Sequence, residues 1–302
     1  MLLQGKGTVQ QEVHSMKTSL SIIAGLVFLA GFSIAVPAAE SAKKNVLFIV
    51  ADDFRDEGGV FIRARLKLPN LDRLAARGVR FERAYVQYTV CNPSRNSFLT
   101  GLRAEQTGIV DNKTLLRSRL PEVVTLPQLF KDKGWRTEAF GKIFHLGGGK
   151  DDAANAEWMD LPKSWHASTA FTATKTGKII EGRNLTGGAL EWCQWGMAEG
   201  DDDDQPDGQT AAAVVKLIEQ QGTNPWFIGC GFMKPHDPFI APRKYFDLYP
   251  PSEMKLWRDP ADMTPAPPLA FAGSAKEFGR FTDQERSEFL RAYCAGASFM
   301  DA

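Results

Sequence analysis

Cysteine and histidine are scarce in this sequence, with only four of each among 302 residues. Four cysteines are too few for the disulfide framework that stabilises small secreted domains. Neither sign of charge is in excess, because 36 basic residues balance 36 acidic ones. No binding to nucleic acid is therefore expected, and any attraction to an anionic substrate must be local. The length is sufficient for one large domain or two small ones.

Long apolar runs are also rare, and one that approaches membrane-spanning length lies at residues 20–36. It follows Lys17 and precedes small residues, which is the order typical of a secretory signal peptide. We predict a signal peptide at residues 1–39, with Met16 as an alternative start. The mature protein is then expected to be exported, to the periplasm or the medium or, in a eukaryote, a lysosome-like compartment. No stable membrane span is expected after cleavage; a single membrane anchor is the alternative interpretation.

Short apolar runs alternate with helical patterns along the rest of the chain. The predicted strands lie at residues 45–50, 135–140 and 225–230. The predicted helices lie at residues 70–77, 127–133 and 210–221. This alternation predicts a doubly wound α/β fold, in which helices flank a mostly parallel sheet. Residues 147–205 show little periodicity, and we expect this irregular segment to contact substrate.

Polar clusters follow each predicted strand. Asp52 and Asp53 come directly after the first strand, and both carboxylates can reach one hard cation such as Ca²⁺ or Mg²⁺. Lys142 and His145 follow the second strand, and His236 follows the third between two prolines. Ligands of such sheets bind beyond the carboxyl ends of the strands, so the clusters are expected to converge. Taken singly, each cluster has a simpler interpretation as solvated turn residues or a buried, hydrogen-bonded histidine.

The run Cys-Asn-Pro-Ser-Arg at residues 91–95 is the most informative motif. Pro93 suits the first position of a helix, Asn92 can cap that helix, and Gly101 can end it. Cys91 is then expected just before the helix N-terminus, where free backbone N–H groups attract anions. Arg95 adds a planar cation suited to sulfate or phosphate oxygens. A small buried apolar residue is the simpler interpretation of a lone cysteine.

The complete Cys-x-Pro-Ser-Arg string, with Asn-Ser-Phe-Leu-Thr-Gly after it, resembles the type I sulfatase family of the alkaline-phosphatase-like superfamily. The motifs Asp-Asp, Cys-x-Pro-Ser-Arg, Gly-Lys-x-x-His and Lys-Pro-His occur in the family's order over residues 45–302. The Lys-Pro-His-x-Pro-Phe segment and the Cys-Asn-Pro-Ser-Arg variant are most similar to the iduronate-2-sulfatase branch. The resemblance implies the sulfatase fold.

The resemblance also implies a cofactor and a modification. In this family a formylglycine-generating maturation enzyme oxidises the motif cysteine to an aldehyde, which places formylglycine at Cys91. Asp52, Asp53 and the matured Cys91 are then expected to ligate one Ca²⁺. Arg95 is expected to steady the formylglycine.

The implied activity is sulfuric ester hydrolysis on a sulfated carbohydrate, and a uronate-containing glycan is the expected substrate. Lys142, His145 and His236 are expected to hold the sulfate or to protonate the leaving oxygen. One hydroxyl of the hydrated aldehyde attacks sulfur and displaces the sugar alcohol. The other hydroxyl then collapses to release sulfate.

One part of the family pattern is missing. Family members supply a second metal-binding pair, an Asp followed by His or Asn, and another lysine from a later strand. No Asp-His or Asp-Asn pair with a glycine behind it follows His236 here. The last predicted helix starts at a capping box at Thr282 and reaches Ala302 without a glycine stop. We therefore expect residues 40–302 to be the N-terminal portion of a catalytic domain. A phosphodiester or phosphonate monoester hydrolase and an inactive truncated remnant are the alternatives.

Overall fold

A computed structural model describes residues 43–55, 66–81, 83–147, 156–220, 222–256 and 279–302. The predicted signal peptide at residues 1–39 lies outside these ranges. Within them, every helix is too short or too polar to cross a bilayer.

The secondary structure of the described ranges is as follows. The strands are β1 (Val46–Asp52), β2 (Arg136–Gly141), β3 (Ala167–Thr169), β4 (Ile180–Asn184), β5 (Gln194–Ala198), β6 (Trp226–Pro235) and β7 (Phe239–Pro242). The helices are α1 (Pro69–Ala75), α2 (Cys91–Thr100), α3 (Ala104–Thr107), α4 (Leu116–Arg119), α5 (Leu126–Asp132), α6 (Pro206–Gln220), α7 (Arg243–Asp247) and α8 (Asp283–Asp301). Short 3₁₀ segments lie at Glu191–Cys193, Asp202–Asp204 and Pro251–Glu253.

The main sheet has the strand order β1-β6-β2-β3, and all its pairings are parallel. Val50 of β1 and Gly141 of β2 both pair with Gly231 of the central strand β6. The carboxyl ends of three strands therefore meet at one edge, as the sequence predicted.

Helices cover both faces of the central strand. Successive side chains of a strand point to opposite faces. Phe227 lies on one face and stacks on Phe130 of α5, with the ring centroids 4.6 Å apart. Trp226 and Ile228 lie on the other face in a cluster with Val214 of α6. The predicted doubly wound α/β architecture is confirmed.

Strand β1 differs from the prediction, which buried both of its faces. Phe48 and Val50 pack on the core beneath α2 and α5. Leu47 and Ile49 point the other way and are 41% and 51% exposed. The prediction was wrong for this face, since Leu47 and Ile49 join none of the apolar clusters formed by the described residues.

Two strands of a second sheet, β4 and β5, lie within the segment predicted to be irregular. Its order is β4-β5-β7, with β4 antiparallel and β7 parallel to β5. Near it, α8 packs on α7 and β7 in a third apolar cluster that includes Phe246, Ala292 and Ala295. Strand β7 thus connects the main sheet's edge to this second layer.

The predicted helices at residues 70–77, 127–133 and 210–221 correspond to α1, α5 and α6. Helix α8 begins at the predicted capping box, where the Thr282 hydroxyl accepts the backbone N–H of Glu285. Gly101 ends α2 in the left-handed conformation, with φ at 72°, as its position predicted.

Candidate active site

Helix α2 begins at Cys91, two residues before the predicted start at Pro93, and its cap is Val90. Asn92 is therefore not the cap, and that prediction was wrong. Its amide donates to the carbonyls of Asp111 and Thr114 at 2.8 Å each. The backbone N–H of Asn92 donates to the side-chain oxygen of Asn112 at 2.9 Å, so this N–H does not face the site. The loop at residues 111–114 thus anchors the start of α2.

Asp52 forms the buried centre of the site at the end of β1. It is 4% exposed, and Arg95 donates to its Oδ1 at 2.6 Å while Lys142 donates to its Oδ2. Arg95 also donates to the carbonyls of Lys142 and Ile143, at 2.5 and 2.8 Å. Burial alone would raise the pKa of Asp52, but Arg95 and Lys142 outweigh it and lower this pKa to about 2.

The three charges of this group sum to one positive charge. Arg95 and Lys142 are 3% and 5% exposed, so the low local polarity strengthens their interaction with an incoming anion. A chain with no net charge thus carries the local positive site that the sequence required.

Asp53 lies beside Cys91, with 3.9 Å between its Oδ1 and the cysteine Sγ. Its backbone is left-handed, with φ at 54°, which is uncommon for a residue with a side chain. Tyr293 of α8 holds this turn, because its hydroxyl donates to the carbonyl of Asp53 at 3.3 Å and accepts the N–H of Arg55 at 3.0 Å. Sequence reasoning missed Tyr293, since an aromatic residue on a helix is usually a core residue.

His236 completes the group around Cys91. Its Nε2 lies 3.5 Å from Asp53 Oδ2 and 3.9 Å from Asp52 Oδ2. Its Nδ1 donates to the carbonyl of Asp237 at 2.5 Å. Burial disfavours the charged ring, but the Cys91 sulfur and that carbonyl raise the pKa of His236 to about 9. With Cys91 unmodified, His236 is therefore protonated at neutral pH.

His145 lies in the loop after β2, three residues beyond Lys142. Its ring packs edge-on against Trp158 with 5.7 Å between centroids. Its Nδ1 is buried and has no hydrogen-bond partner in the described part of the chain. Burial lowers the pKa of His145 to about 4, and the charges of Lys142 and Arg95 add to this. His145 is therefore neutral at pH 7.

The donor atoms fit a hard cation in part. Ligand atoms of Asp52, Cys91 and His236 lie within 4.8 Å of one another, and so do those of Asp53, His236 and Asp237. Carboxylate oxygens are the ligands that Ca²⁺ prefers, and an aldehyde-derived oxygen at position 91 would add to them. Ca²⁺ takes about six to eight oxygens, more than these side chains offer.

Solved structures share the fold of this chain. The phosphonate monoester hydrolase of Agrobacterium radiobacter superposes with a TM-score of 0.65 at 20% identity, over 86% of this chain and 57% of that one. A putative sulfatase from Bacteroides thetaiotaomicron superposes with a TM-score of 0.53 at 18% identity. These identities support the shared fold alone.

Sequence comparison goes further. Iduronate 2-sulfatase of Mus musculus is 33% identical in an alignment of 305 positions, which covers 94% of this chain and 54% of that protein. A sulfatase of Formosa agariphila is 30% identical over 284 residues, covering 87% of this chain and 54% of that protein. The chain thus spans about half the length of these relatives. The sulfatase family pattern matches residues 44–302. The chain therefore belongs to the sulfatase family and is similar to its iduronate 2-sulfatase branch.

Proposed function

We propose that this protein is a sulfuric ester hydrolase that removes sulfate from a sulfated carbohydrate. The proximity of Cys91, in its Cys-x-Pro-Ser-Arg string, to Asp53 and His236 is the observation that carries the proposal. The similarity of the chain to iduronate 2-sulfatase favours a uronate-containing glycan as the substrate. Export through the predicted signal peptide at residues 1–39 would bring the enzyme to such glycans.

Cys91 is proposed to be converted to formylglycine by a maturation enzyme. Its position at the start of α2 leaves the side chain partly exposed at the sheet edge, where substrate arrives. Asp52, Asp53 and the modified Cys91 are proposed to hold Ca²⁺. When bound, this ion supplies positive charge against the sulfate oxygens.

The chain's own cations bind and orient the sulfate. Lys142 and His236 both lie at the edge that carries Cys91, and the His236 ring, in its protonated form, can donate to a sulfate oxygen or to the leaving oxygen. Arg95 fixes Asp52 and the start of the loop after β2, and so steadies position 91 indirectly. The neutral ring of His145 can accept or pass a proton near Lys142. Overall, water adds to sulfur, the S–O bond to the sugar breaks, and alcohol, sulfate and a proton leave.

Turnover by the 302-residue chain, co-expressed with a formylglycine-generating enzyme, tests this proposal. We expect hydrolysis of 4-nitrophenyl sulfate that falls at least about 1,000-fold in Cys91→Ala, because the nucleophile is lost. Cys230→Ala, at a cysteine buried in the sheet, is the matched control and should retain activity.

Parallel assays with bis(4-nitrophenyl) phosphate and a phenyl phosphonate ester separate the alternatives. Faster turnover of either phosphorus ester than of the sulfate would contradict the proposal and favour a phosphodiester or phosphonate monoester hydrolase. Absence of any turnover in fully converted protein would favour an inactive remnant.

A further inference from the structure

Strand β6 is interrupted just before His236. Ala51 of β1 pairs with Phe232, but the next residue, Asp52, pairs with Pro235. Met233 and Lys234 are therefore extra residues that form a bulge, and their N–H groups are lost to the ladder. Bulges redirect side chains and are frequent next to active sites.

A carboxylate from another element binds both of these N–H groups. Asp207, the second residue of α6, is 4% exposed. It accepts the backbone N–H of Met233 at 2.8 Å and that of Lys234 at 2.7 Å. Such charge-assisted bonds are stronger than bonds between neutral groups, and the buried carboxylate would be costly to leave unpaired. Asp207 of α6 thus fixes the bulge.

The side chain of Lys234 fixes the turn that follows. Its Nζ donates to the carbonyls of His236 and Pro238, both at 2.8 Å. The N–H of His236 donates back to the carbonyl of Met233 at 2.9 Å. Lys234 therefore binds the backbone of its own turn rather than pointing its ammonium group at Cys91. Its pKa is lowered by burial to about 8, so the group still carries its charge at neutral pH.

We infer that Asp207 and Lys234 form a positioning pair that holds the bulge and turn at residues 233–238 and thereby directs the His236 ring at Asp52, Asp53 and Cys91. Neither residue touches the reacting atoms, so both are positioning residues. The inference rests on the proposed function for its effect on turnover, but the geometry of His236 can be measured without turnover. Lys234, the lysine of the Lys-Pro-His segment, thus has the role of stabilising the turn. Asp207 supports the site from α6, a helix in which the sequence shows no recognised motif.

The test uses the full 302-residue chain, with the variants Lys234→Met, Lys234→Arg and Asp207→Asn. Lys234→Met keeps most of the aliphatic stem and removes the donors, and Lys234→Arg restores donors. Asp207→Asn keeps one acceptor oxygen and nearly the same shape. Lys216→Met and Asp203→Asn, at exposed positions of α6 and the segment before it, are the matched controls.

The first readout is the ¹⁵N spectrum of histidine-labelled protein, in which His236→Gln identifies the His236 signals among the four histidines. We expect Lys234→Met and Asp207→Asn to shift or broaden the His236 signals and to leave those of His145 and His166 unchanged. Lys234→Arg should restore them in part, and the controls should match the wild type. Unchanged His236 signals in folded Lys234→Met and folded Asp207→Asn would overturn the inference, whether or not the chain hydrolyses esters.

The second readout is turnover of 4-nitrophenyl sulfate by the converted protein. We expect Lys234→Met to lower kcat about tenfold or more with KM changed less than about threefold, because loss of a supporting residue typically costs about 10- to 100-fold. Recovery in Lys234→Arg would separate positioning from a loss of folding, which thermal unfolding checks directly. Wild-type kcat in Lys234→Met would contradict the inference. Absence of turnover in the wild type itself would count against the proposed function alone.

Discussion

Asp52 is the residue on which the charges of the site depend. Its carboxylate is buried between Arg95 and Lys142, and each of its oxygens is bound by one of them. Removing one partner of a buried charge pair leaves the other uncompensated, which is strongly destabilising. Asp52 therefore has a structural role as well as the proposed role of metal ligand.

Because of this pairing, the free energy of unfolding should depend on pH in the acid range. The pKa of Asp52 falls from 3.8 in the unfolded chain to about 2 in the folded one. A lowered folded pKa contributes stability above pH 3.8, and this is lost as the pH falls towards 2. We expect a loss of about 2 kcal/mol in the free energy of unfolding over that interval. Urea unfolding from about pH 5 to about pH 2 measures it.

Two variants make that measurement specific. In Asp52→Asn the acid-dependent component should be absent, although the variant should be less stable throughout because Arg95 and Lys142 lose their partner. Asp203→Asn, at an exposed carboxylate, should follow the wild type. The same acid dependence in Asp52→Asn as in the wild type would show that other carboxyls are responsible.

Tyr293 supports the neighbouring residue. Its hydroxyl joins the carbonyl of Asp53 to the N–H of Arg55, and its ring packs against Phe239 with 5.6 Å between centroids. Tyr293→Phe keeps the ring and removes the hydroxyl. If one net hydrogen bond of about 1 kcal/mol is lost from this turn, which we propose to bind Ca²⁺, the Kd for Ca²⁺ should rise about fivefold.

Calorimetric titration of the converted protein with Ca²⁺ measures this change. Tyr85→Phe is the control, because Tyr85 is 81% exposed. Equal Kd values for the two variants would mean that the Asp53 turn holds its left-handed backbone without the Tyr293 hydroxyl.

At the scale of elements, α2 carries Cys91 at its first position and is ended by Gly101 at the other. Gly101 has φ at 72°, and a Cβ there would meet no atom within 4 Å. Gly101→Ala should therefore lower the free energy of unfolding by about 1 kcal/mol through backbone strain alone. Gly222→Ala, which also adds a methyl group in open space, is the control. Chemical denaturation compares them, and equal stability of the two variants would contradict the backbone argument.

The elements that sequence predicted well are those with strong local signals. Strand β6 is apolar on both faces, and α8 begins at a capping box. Each can therefore be predicted from its local sequence alone. The second sheet gave no such signal. Strand β4, with the sequence Ile-Glu-Gly-Arg-Asn, is mostly exposed and becomes a strand only by pairing with β5.

The same distinction applies to the site. The pairs at the strand ends were predictable because parallel strands carry their following residues to one edge. The start of α2 was misplaced because Asn92 is bound by the loop at residues 111–114, a contact that sequence spacing does not reveal. Asp207 and Tyr293 were missed for the same reason, since each reaches the site from a distant helix.

At the scale of the whole molecule, the candidate site is assembled from four segments far apart in the chain. Asp52, Arg95, Lys142 and His236 come from β1, α2, the loop after β2 and the turn after β6. The main sheet brings them together, while α6 and α8 fix them from outside. These four residues surround or support Cys91. Its proposed conversion to formylglycine decides whether the arrangement is an enzyme's active site.

The mass of the tryptic peptide spanning residues 84–95, which contains Cys91, tests that claim most directly. The chain should be produced with a formylglycine-generating enzyme and, separately, without one. We expect a peptide lighter by about 18 Da than the thiol form in the first case, a change distinct from ordinary cysteine oxidation, which adds mass. A peptide that keeps the thiol mass, in cells where a known sulfatase is converted, would contradict it.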